Sequence, residues 1–84
     1  MYILWDEPKR LANLDKHQLD FRDLTLEFFD NATIFPVHDR RQAAVGWLAE
    51  RTLTVIYFEL GTEALSIISM RYASPKERTR LHEH

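Results

Sequence analysis

The sequence predicts an α+β fold in which two N-terminal helices pack on a four-stranded antiparallel sheet, followed by a short C-terminal helix. Apolar residues recur at helical spacing up to Asn31. The pattern then changes to runs rich in Val, Ile, Thr, Tyr and Phe, and the connections between these runs are short. With 84 residues, the chain is long enough for one domain, which we assign to residues 1–84.

The first helix is predicted over residues 7–16. Asp6 offers an N-cap oxygen, and Pro8 lies in the first turn, where its missing N–H costs little. The segment before it, residues 2–5, is too short to be more than an edge strand and is not one of the four predicted strands.

The second helix is predicted over residues 21–29. Asp20 is its N-cap candidate, and Leu24 and Phe28 follow four residues apart, on one face. We expect the helix to end near Asn31, because asparagine tolerates a left-handed cap.

Four strands are predicted after Asn31. Pro36 marks the first as an edge strand or a strand end. The connections at 49–51 and 61–62 are short enough for hairpins, which makes neighbouring strands antiparallel. We expect the face of the sheet away from the helices to remain partly open. The predicted strands are residues 32–37, 43–48, 52–60 and 63–72.

Alternation along the last two strands predicts which side chains share a face. The number of apolar side chains does not show which face of the sheet packs against the helices, because both faces are mostly apolar. After the last strand, Ser74 and Glu77 form a capping box that begins the terminal helix, with Pro75 at its first position. The side chains expected to share a face are Leu65, Ile67, Ser69 and Arg71 in the last strand, and Val55, Tyr57 and Glu59 in the strand before it.

Composition excludes several kinds of protein. The chain is 45% apolar and 29% charged, which is ordinary for a globular domain, and no apolar run approaches the ~20 residues of a membrane span. The N-terminal residues do not resemble a signal peptide, so we expect a cytoplasmic protein without membrane contact. The absence of cysteine excludes disulfides and thiolate metal sites.

Charge is unevenly distributed along the chain. The formal net charge is −2, whereas nucleic-acid binders are usually basic. Residues 1–31 carry seven acids and four Lys or Arg, a net of −3. Residues 61–84 carry four Lys or Arg and three acids, a net of +1. An anionic ligand therefore favours the later part of the chain.

Three stretches of the sequence carry a family resemblance. WDEPKRLANLDKHQLDF at 5–21 has an aromatic-Asp-Glu, a Lys, an Ala-Asn pair and a Lys-His pair before an apolar-x-Phe. LTVIYFE at 53–59 and IISMRYASPKER at 67–78 follow, the latter with Ile-Ile-Ser-x-Arg-x-Ala and Glu-Arg. In order and spacing these stretches resemble the BrnT family of toxins.

The resemblance implies a fold similar to the RelE ribonucleases and cleavage of RNA. It also implies neutralisation by a BrnA-like antitoxin with a ribbon-helix-helix part, whose complex with the toxin represses its own promoter, so that promoter DNA is bound only through the antitoxin. Gln18 stands where many members have Gly, so we expect no positive φ there. Leu60 and Ser66 stand where many relatives have Arg, which makes the basic surface smaller.

Metal-free RNA cleavage needs a base for the 2′-hydroxyl, a cation beside the phosphate and an acid for the leaving oxygen. We expect neither metal nor cofactor, because the sequence lacks the spacing of a metal site. His17 is the candidate acid or base, since an ordinary imidazole titrates near pH ~6.5, and Lys16 and Arg71 are candidate phosphate ligands. Glu59 is a candidate base if burial raises its pKa.

Each candidate has a structural alternative. His17 can satisfy a carbonyl at the helix end, and Lys16 can be a solvated helix lysine. Arg71 can form a salt bridge with Glu59 or Glu63.

Four further residues are candidates for RNA contact. Lys76 and Arg78 lie in the terminal helix, and Arg51 lies in a hairpin connection. Tyr57 is a candidate for stacking on a base, although aromatics at strand spacing are more often core. We expect no role for the terminal residues His82 and His84.

Two functions from different classes fit these features. The first is an RNA endonuclease toxin. The second is a catalytically inactive protein-binding module that retains only the antitoxin interface. The Lys-His and Ser-x-Arg elements favour the first, and the smaller basic surface favours the second.

Overall fold

A five-stranded sheet forms the centre of the fold. The structure, a computed structural model, describes residues 1–82, so Glu83 and His84 lie outside it, and with them the expectation for His84. The elements in chain order are β1 (Tyr2–Trp5), α1 (Glu7–His17), a 3-10 turn (Phe21–Asp23), α2 (Leu26–Asn31), β2 (Thr33–Pro36), β3 (Gln42–Leu48), β4 (Arg51–Leu60), β5 (Ala64–Tyr72) and α3 (Pro75–His82).

The predicted four-stranded antiparallel sheet is wrong, because the sheet is mixed and has a fifth strand. Its order is β1-β5-β4-β3-β2. The four predicted strands do pair consecutively as an antiparallel meander. β1 joins the far edge by pairing in parallel with β5, from Tyr2 opposite Ala64 to Trp5 opposite Ile67. A parallel pair needs a long crossover, so no local turn signal marks this contact in the sequence.

The second predicted helix, 21–29, is also wrong, whereas α1 is close to its predicted bounds. The chain forms the 3-10 turn and then α2, with Leu24 extended between them. Two helix N-caps close together in sequence interrupt the predicted helix. Asp20 accepts a hydrogen bond from the Arg22 N–H at 3.0 Å, and Thr25 accepts one from the Phe28 N–H at 3.3 Å, so the helix starts twice.

The core lies between one face of the sheet and the segment that contains α2. Tyr57 is 1% exposed, and its ring lies 5.2 Å from that of Phe29. Gly46 allows α2 to approach β3, because a Cβ there would lie 3.1 Å from the Phe28 ring. Burying each large apolar side chain stabilises the fold by about 1.5–3 kcal/mol. The structure thus decides that the face with Leu53, Val55 and Tyr57 meets α2.

A β-bulge in β5 overturns the predicted alternation along that strand. Tyr57 lies opposite Ile67, but Ile56 lies opposite Ser69, so Ile68 is an extra residue without a partner across the pair. Ile67 and Met70 consequently both belong to the core cluster. Ser69 and Arg71 lie on the other face, and Ile67 does not share their side of the sheet.

α3 covers part of that second face. It contacts β3, and the Arg80 guanidinium lies 4.3 Å from the centre of the Phe35 ring in β2. Val45 and Thr54 are 0% exposed beneath this side. Part of this face stays open, as expected, for example near β1, where Tyr2 and Leu60 are exposed.

The connection after α1 contradicts the expectation for Gln18. Its φ is 56° and its ψ is 32°, in the left-handed region, and its N–H caps the helix by bonding the Leu14 carbonyl at 2.9 Å. Glycine adopts this conformation without the steric cost that a side chain brings. Gln18 therefore carries backbone strain, partly offset by the bond from its side-chain amide to the Asp15 carbonyl at 2.8 Å.

Replacing Gln18 by glycine is expected to raise the free energy of unfolding by about 0.5–1 kcal/mol, because it removes the strain of a positive φ. Urea denaturation checks this result. Leu11→Gly is the control: Leu11 is exposed inside α1, and glycine there should lower stability by about 1 kcal/mol. A loss of stability in Gln18→Gly would show that the side-chain hydrogen bond outweighs the strain.

Candidate active site

Asn13 joins α1 to the edge of the sheet. Its amide donates to the Met70 carbonyl at 2.9 Å and accepts from the Met70 N–H at 3.0 Å. It also donates to the Leu19 carbonyl at 3.2 Å. β1 pairs with β5 only as far as Ile67. At Met70, three residues further along β5, the Asn13 side chain makes the two backbone hydrogen bonds that a neighbouring strand would otherwise make.

Asn13 was not among the predicted site residues. The signal that could have found it is the Ala-Asn pair of the family pattern, which places an asparagine in the middle of a helix where its propensity is poor. A buried asparagine in such a position needs a partner for its amide, and only the folded structure shows that the partner is Met70.

A groove of about 270 Å³ lies between α1 and the bulge in β5. It brings together two of the predicted site residues, Lys16 and His17 from the end of α1, and it places them beside Ser69 of β5. Lys16 is exposed and His17 is half-buried. Lys9, which sequence reasoning missed, adds a second ammonium group from the same helix face. The lining residues are Lys9, Ala12, Asn13, Lys16, His17, Ile68 and Ser69, none of which is a carboxylate.

Arg71 lies two residues beyond Ser69 on the same face, about 7 Å along the strand. Its Nη1 and Nη2 donate to the two carboxylate oxygens of Glu77 at 2.7 and 2.9 Å. The alternative salt bridges to Glu59 or Glu63 are not formed in the described structure. Arg71 itself does not line the groove.

Glu77 is fixed from the helix side as well. One of its oxygens accepts a bond from the Ser74 N–H at 2.8 Å, and its own N–H donates to the Ser74 hydroxyl at 3.2 Å. This is the predicted capping box, and it is confirmed. The Arg71–Glu77 pair therefore ties the end of β5 to the start of α3.

The hydrogen bonds from Arg71 hold the pKa of Glu77 far below its usual range, at about 2. Burial alone would raise this pKa, and the hydrogen bond from the Ser74 N–H helps to lower it. The same pair raises the pKa of Arg71. Because the folded-state pKa of Glu77 is depressed, its contribution to stability is fully present above about pH 4.5. That contribution is lost as the pH falls from there to about 2.

We expect Glu77→Gln to remove one component of the acid destabilisation of this protein. The wild type should lose about 1–2 kcal/mol more than the variant between pH 5 and pH 2, after allowance for solvent screening. Urea denaturation at several pH values checks the difference. Glu63→Gln, a change at an exposed turn, is the control and should follow the wild type. Parallel curves for wild type and Glu77→Gln would contradict the prediction.

Two predicted residues lie away from this site. Glu59 is exposed, five residues along β4 from the Thr54 that pairs with Arg71, which is about 17 Å. Glu59 is also absent from the residues that line the groove, so the structure neither brings it to the groove nor buries it. Tyr57 is a core residue, and burial raises the pKa of its hydroxyl. Its ring is not available to stack on an RNA base, which corrects that expectation.

The remaining predicted cations gather at the end of the sheet where β5 ends. Arg51 begins β4 and is half-buried, and the neighbouring Thr52 carbonyl accepts a bond from the Ala73 N–H at 3.0 Å. Lys76 is exposed in the first turn of α3. Arg78 is exposed and donates to the Ala73 carbonyl at 3.1 Å.

These features define a class of protein. It is a small α+β domain with a lysine- and histidine-lined groove at a sheet edge and further cations beside it, an arrangement suited to a phosphate-bearing ligand. Within residues 1–82, no group of three or more His, Asp or Glu is placed to hold a metal ion. No helix in the described part of the chain is long and apolar enough to cross a membrane.

Comparison with known proteins identifies the family. Residues 5–77 match the model of the BrnT toxin family, described as the ribonuclease toxin BrnT of a type II toxin–antitoxin system. The chain therefore belongs to the BrnT family, and it is a ribonuclease toxin of a type II system. A toxin of this kind has an antitoxin partner.

A solved structure supports the same assignment. The chain is similar to the 1.1 Å crystal structure of the Brucella abortus ribonuclease toxin BrnT, with 51% sequence identity and a TM-score of 0.84. The match covers 88% of this chain and 97% of that one. No curated protein matches the chain.

Proposed function

We propose that this toxin cleaves RNA without a metal ion, in the groove between α1 and β5. The observation that carries the proposal is that the fold places Lys16 and His17 beside Ser69, with Arg71 about 7 Å further along the same strand. An RNA strand that follows this edge of the sheet meets the His17 imidazole and several cations together. The lining contains no carboxylate that would repel a phosphate.

In this mechanism His17 is the acid or the base, the group that donates or accepts a proton during cleavage. The 2′-oxygen loses its proton to a base and attacks the adjacent phosphorus, and the bond to the 5′-oxygen breaks as that oxygen takes up a proton. Lys16 and Arg71 offset the charge that builds on the phosphate. The products are a 2′,3′-cyclic phosphate and a 5′-hydroxyl end.

The antitoxin partner in this proposal is BrnA-like. Its ribbon-helix-helix part binds the promoter DNA, so the toxin reaches that DNA only through the antitoxin. The resemblance in residues 5–21 and 67–78 supports this assignment. The complex acts in the cytoplasm, where RNA and promoter are both present.

The purified chain is expected to cleave RNA at the same rate in the presence and absence of a chelator, because lysine and histidine side chains supply the acid, the base and the cation. The measurement is the rate of cleavage of a single-stranded RNA in EDTA and in magnesium. Activity that is lost in EDTA and restored by magnesium would show that the route is metal-dependent. Absence of both cleavage and growth arrest would favour an inactive antitoxin-binding module.

A further inference from the structure

The pairing of Arg71 with Glu77 uses only one edge of the guanidinium group. Both hydrogen bonds to Glu77 come from Nη1 and Nη2, at the end of the side chain. Nη1 makes one more contact, to the Tyr72 carbonyl at 3.4 Å, and Nε donates no hydrogen bond to any residue of the described range 1–82. A guanidinium has a second bidentate edge, formed by Nε and Nη2, which matches the geometry of a phosphate.

Glu77 is itself held firmly. Its side chain is 15% exposed, and it accepts from Arg71 and from the Ser74 N–H while its own N–H is bonded to the Ser74 hydroxyl. The carboxylate is thus anchored to the first turn of α3. Arg71, which is 38% exposed, has its end fixed against this anchor while part of the side chain stays in contact with solvent.

We propose that Glu77 is a positioning residue for RNA cleavage: it holds Arg71 by the Nη1–Nη2 edge so that the Nε–Nη2 edge binds an RNA phosphate beside the groove. This inference rests on the proposed function, because it assumes that RNA lies along β5. It assigns to an acidic residue a role that supports the binding of an anion.

Removing Glu77 has opposite expected effects depending on whether it acts through its charge or by positioning Arg71, so the two roles can be distinguished. If Glu77 acted only through its charge, its removal would strengthen RNA binding, because one repulsive carboxylate disappears near the phosphates. If Glu77 positions Arg71, its removal slows the cleavage step even though the net charge has become more favourable. A glutamine cannot accept two hydrogen bonds from a guanidinium in the same fork, so it breaks the positioning with little change in shape.

The experiment measures kcat and KM on a single-stranded RNA oligonucleotide for wild type, Glu77→Gln, Arg71→Ala and the double variant. We expect kcat of Glu77→Gln to fall by about 10-fold or more, the scale of a misplaced binding group, without a rise in KM. In the Arg71→Ala background, Glu77→Gln should have no further effect, because it acts through the arginine. Glu63→Gln is the control for loss of an exposed carboxylate and should keep the wild-type kcat.

Arg71→Lys gives a second test that leaves Glu77 in place. A lysine can pair with Glu77 but has no second bidentate edge, so kcat should fall by about 10-fold while the melting temperature stays near that of the wild type. Full activity of Arg71→Lys, or an unchanged kcat in Glu77→Gln, would overturn this inference and leave the proposed function standing. The same holds if Glu77→Gln slows cleavage equally with and without Arg71. A wild-type chain that does not cleave RNA would overturn the proposed function and this inference with it.

Discussion

Replacing Asn13 by alanine is expected to lower the free energy of unfolding by about 3 kcal/mol or more. The change leaves the Met70 N–H and the Met70 and Leu19 carbonyls without the partner that the Asn13 amide supplies. Each buried polar group left unsatisfied costs about 1–3 kcal/mol. For a domain whose total stability is on the order of 5–15 kcal/mol, this is a large fraction. Urea denaturation monitored by tryptophan fluorescence measures it.

Asn31→Ala is the matched control for this prediction. Asn31 is exposed at the end of α2, and within residues 1–82 its amide bonds only the Glu27 carbonyl one turn back, at 3.1 Å. Its replacement should change stability by about 0.5 kcal/mol or less. If Asn13→Ala cost as little as Asn31→Ala, the amide would not be holding α1 to β5.

Replacing His17 by alanine is expected to reduce RNA cleavage by about 10²–10⁴-fold, the usual contribution of a positioned acid or base. His17 lines the groove opposite Ser69 and is half-buried at the end of α1. The loss should appear in kcat, because the proton transfer belongs to the chemical step. The measurement is the single-turnover rate on a single-stranded RNA, with the melting temperature of the variant as a check on folding.

His38→Ala is the control for His17→Ala. His38 is exposed in the turn between β2 and β3 and is absent from the lining of the groove. Its removal changes the histidine content of the chain without touching the site, so cleavage should stay at the wild-type rate. Equal activity of His17→Ala and the wild type would assign His17 to capping the helix end and would move the acid–base role to another residue.

The elements that depend on neighbours in sequence could be predicted. Ser74 and Glu77 are three residues apart, and their capping box forms as the sequence indicates. The helix that presents Lys16 and His17 ends within one residue of its predicted end, and the four consecutive strands form hairpins across short connections. The interruption of the second helix was not predicted, because Asp20 was the N-cap candidate considered there, whereas Thr25 caps a second helix start.

The contacts that build the site could not be predicted in this way. The pairing of β1 with β5 and the bond between Asn13 and Met70 join residues about sixty positions apart, with no local turn to mark them. The bulge at Ile68 reverses the facing of Ser69 and Arg71 relative to Ile67, and strict alternation has no means of showing it. Gln18 adopts a positive φ that its side chain disfavours, because the helix end there needs a left-handed cap.

By itself, the sequence determined the α+β class, the antiparallel meander, the helix that carries Lys16 and His17, and the resemblance to BrnT toxins. These follow from periodicity, capping and motif order, which are properties of neighbouring residues. The tertiary structure alone decided the fifth strand, the groove between α1 and β5, and the partner of Arg71. Each of these depends on which polar groups, distant in sequence, form hydrogen bonds with one another when they are buried in the folded chain. The local sequence pattern does not specify these partners.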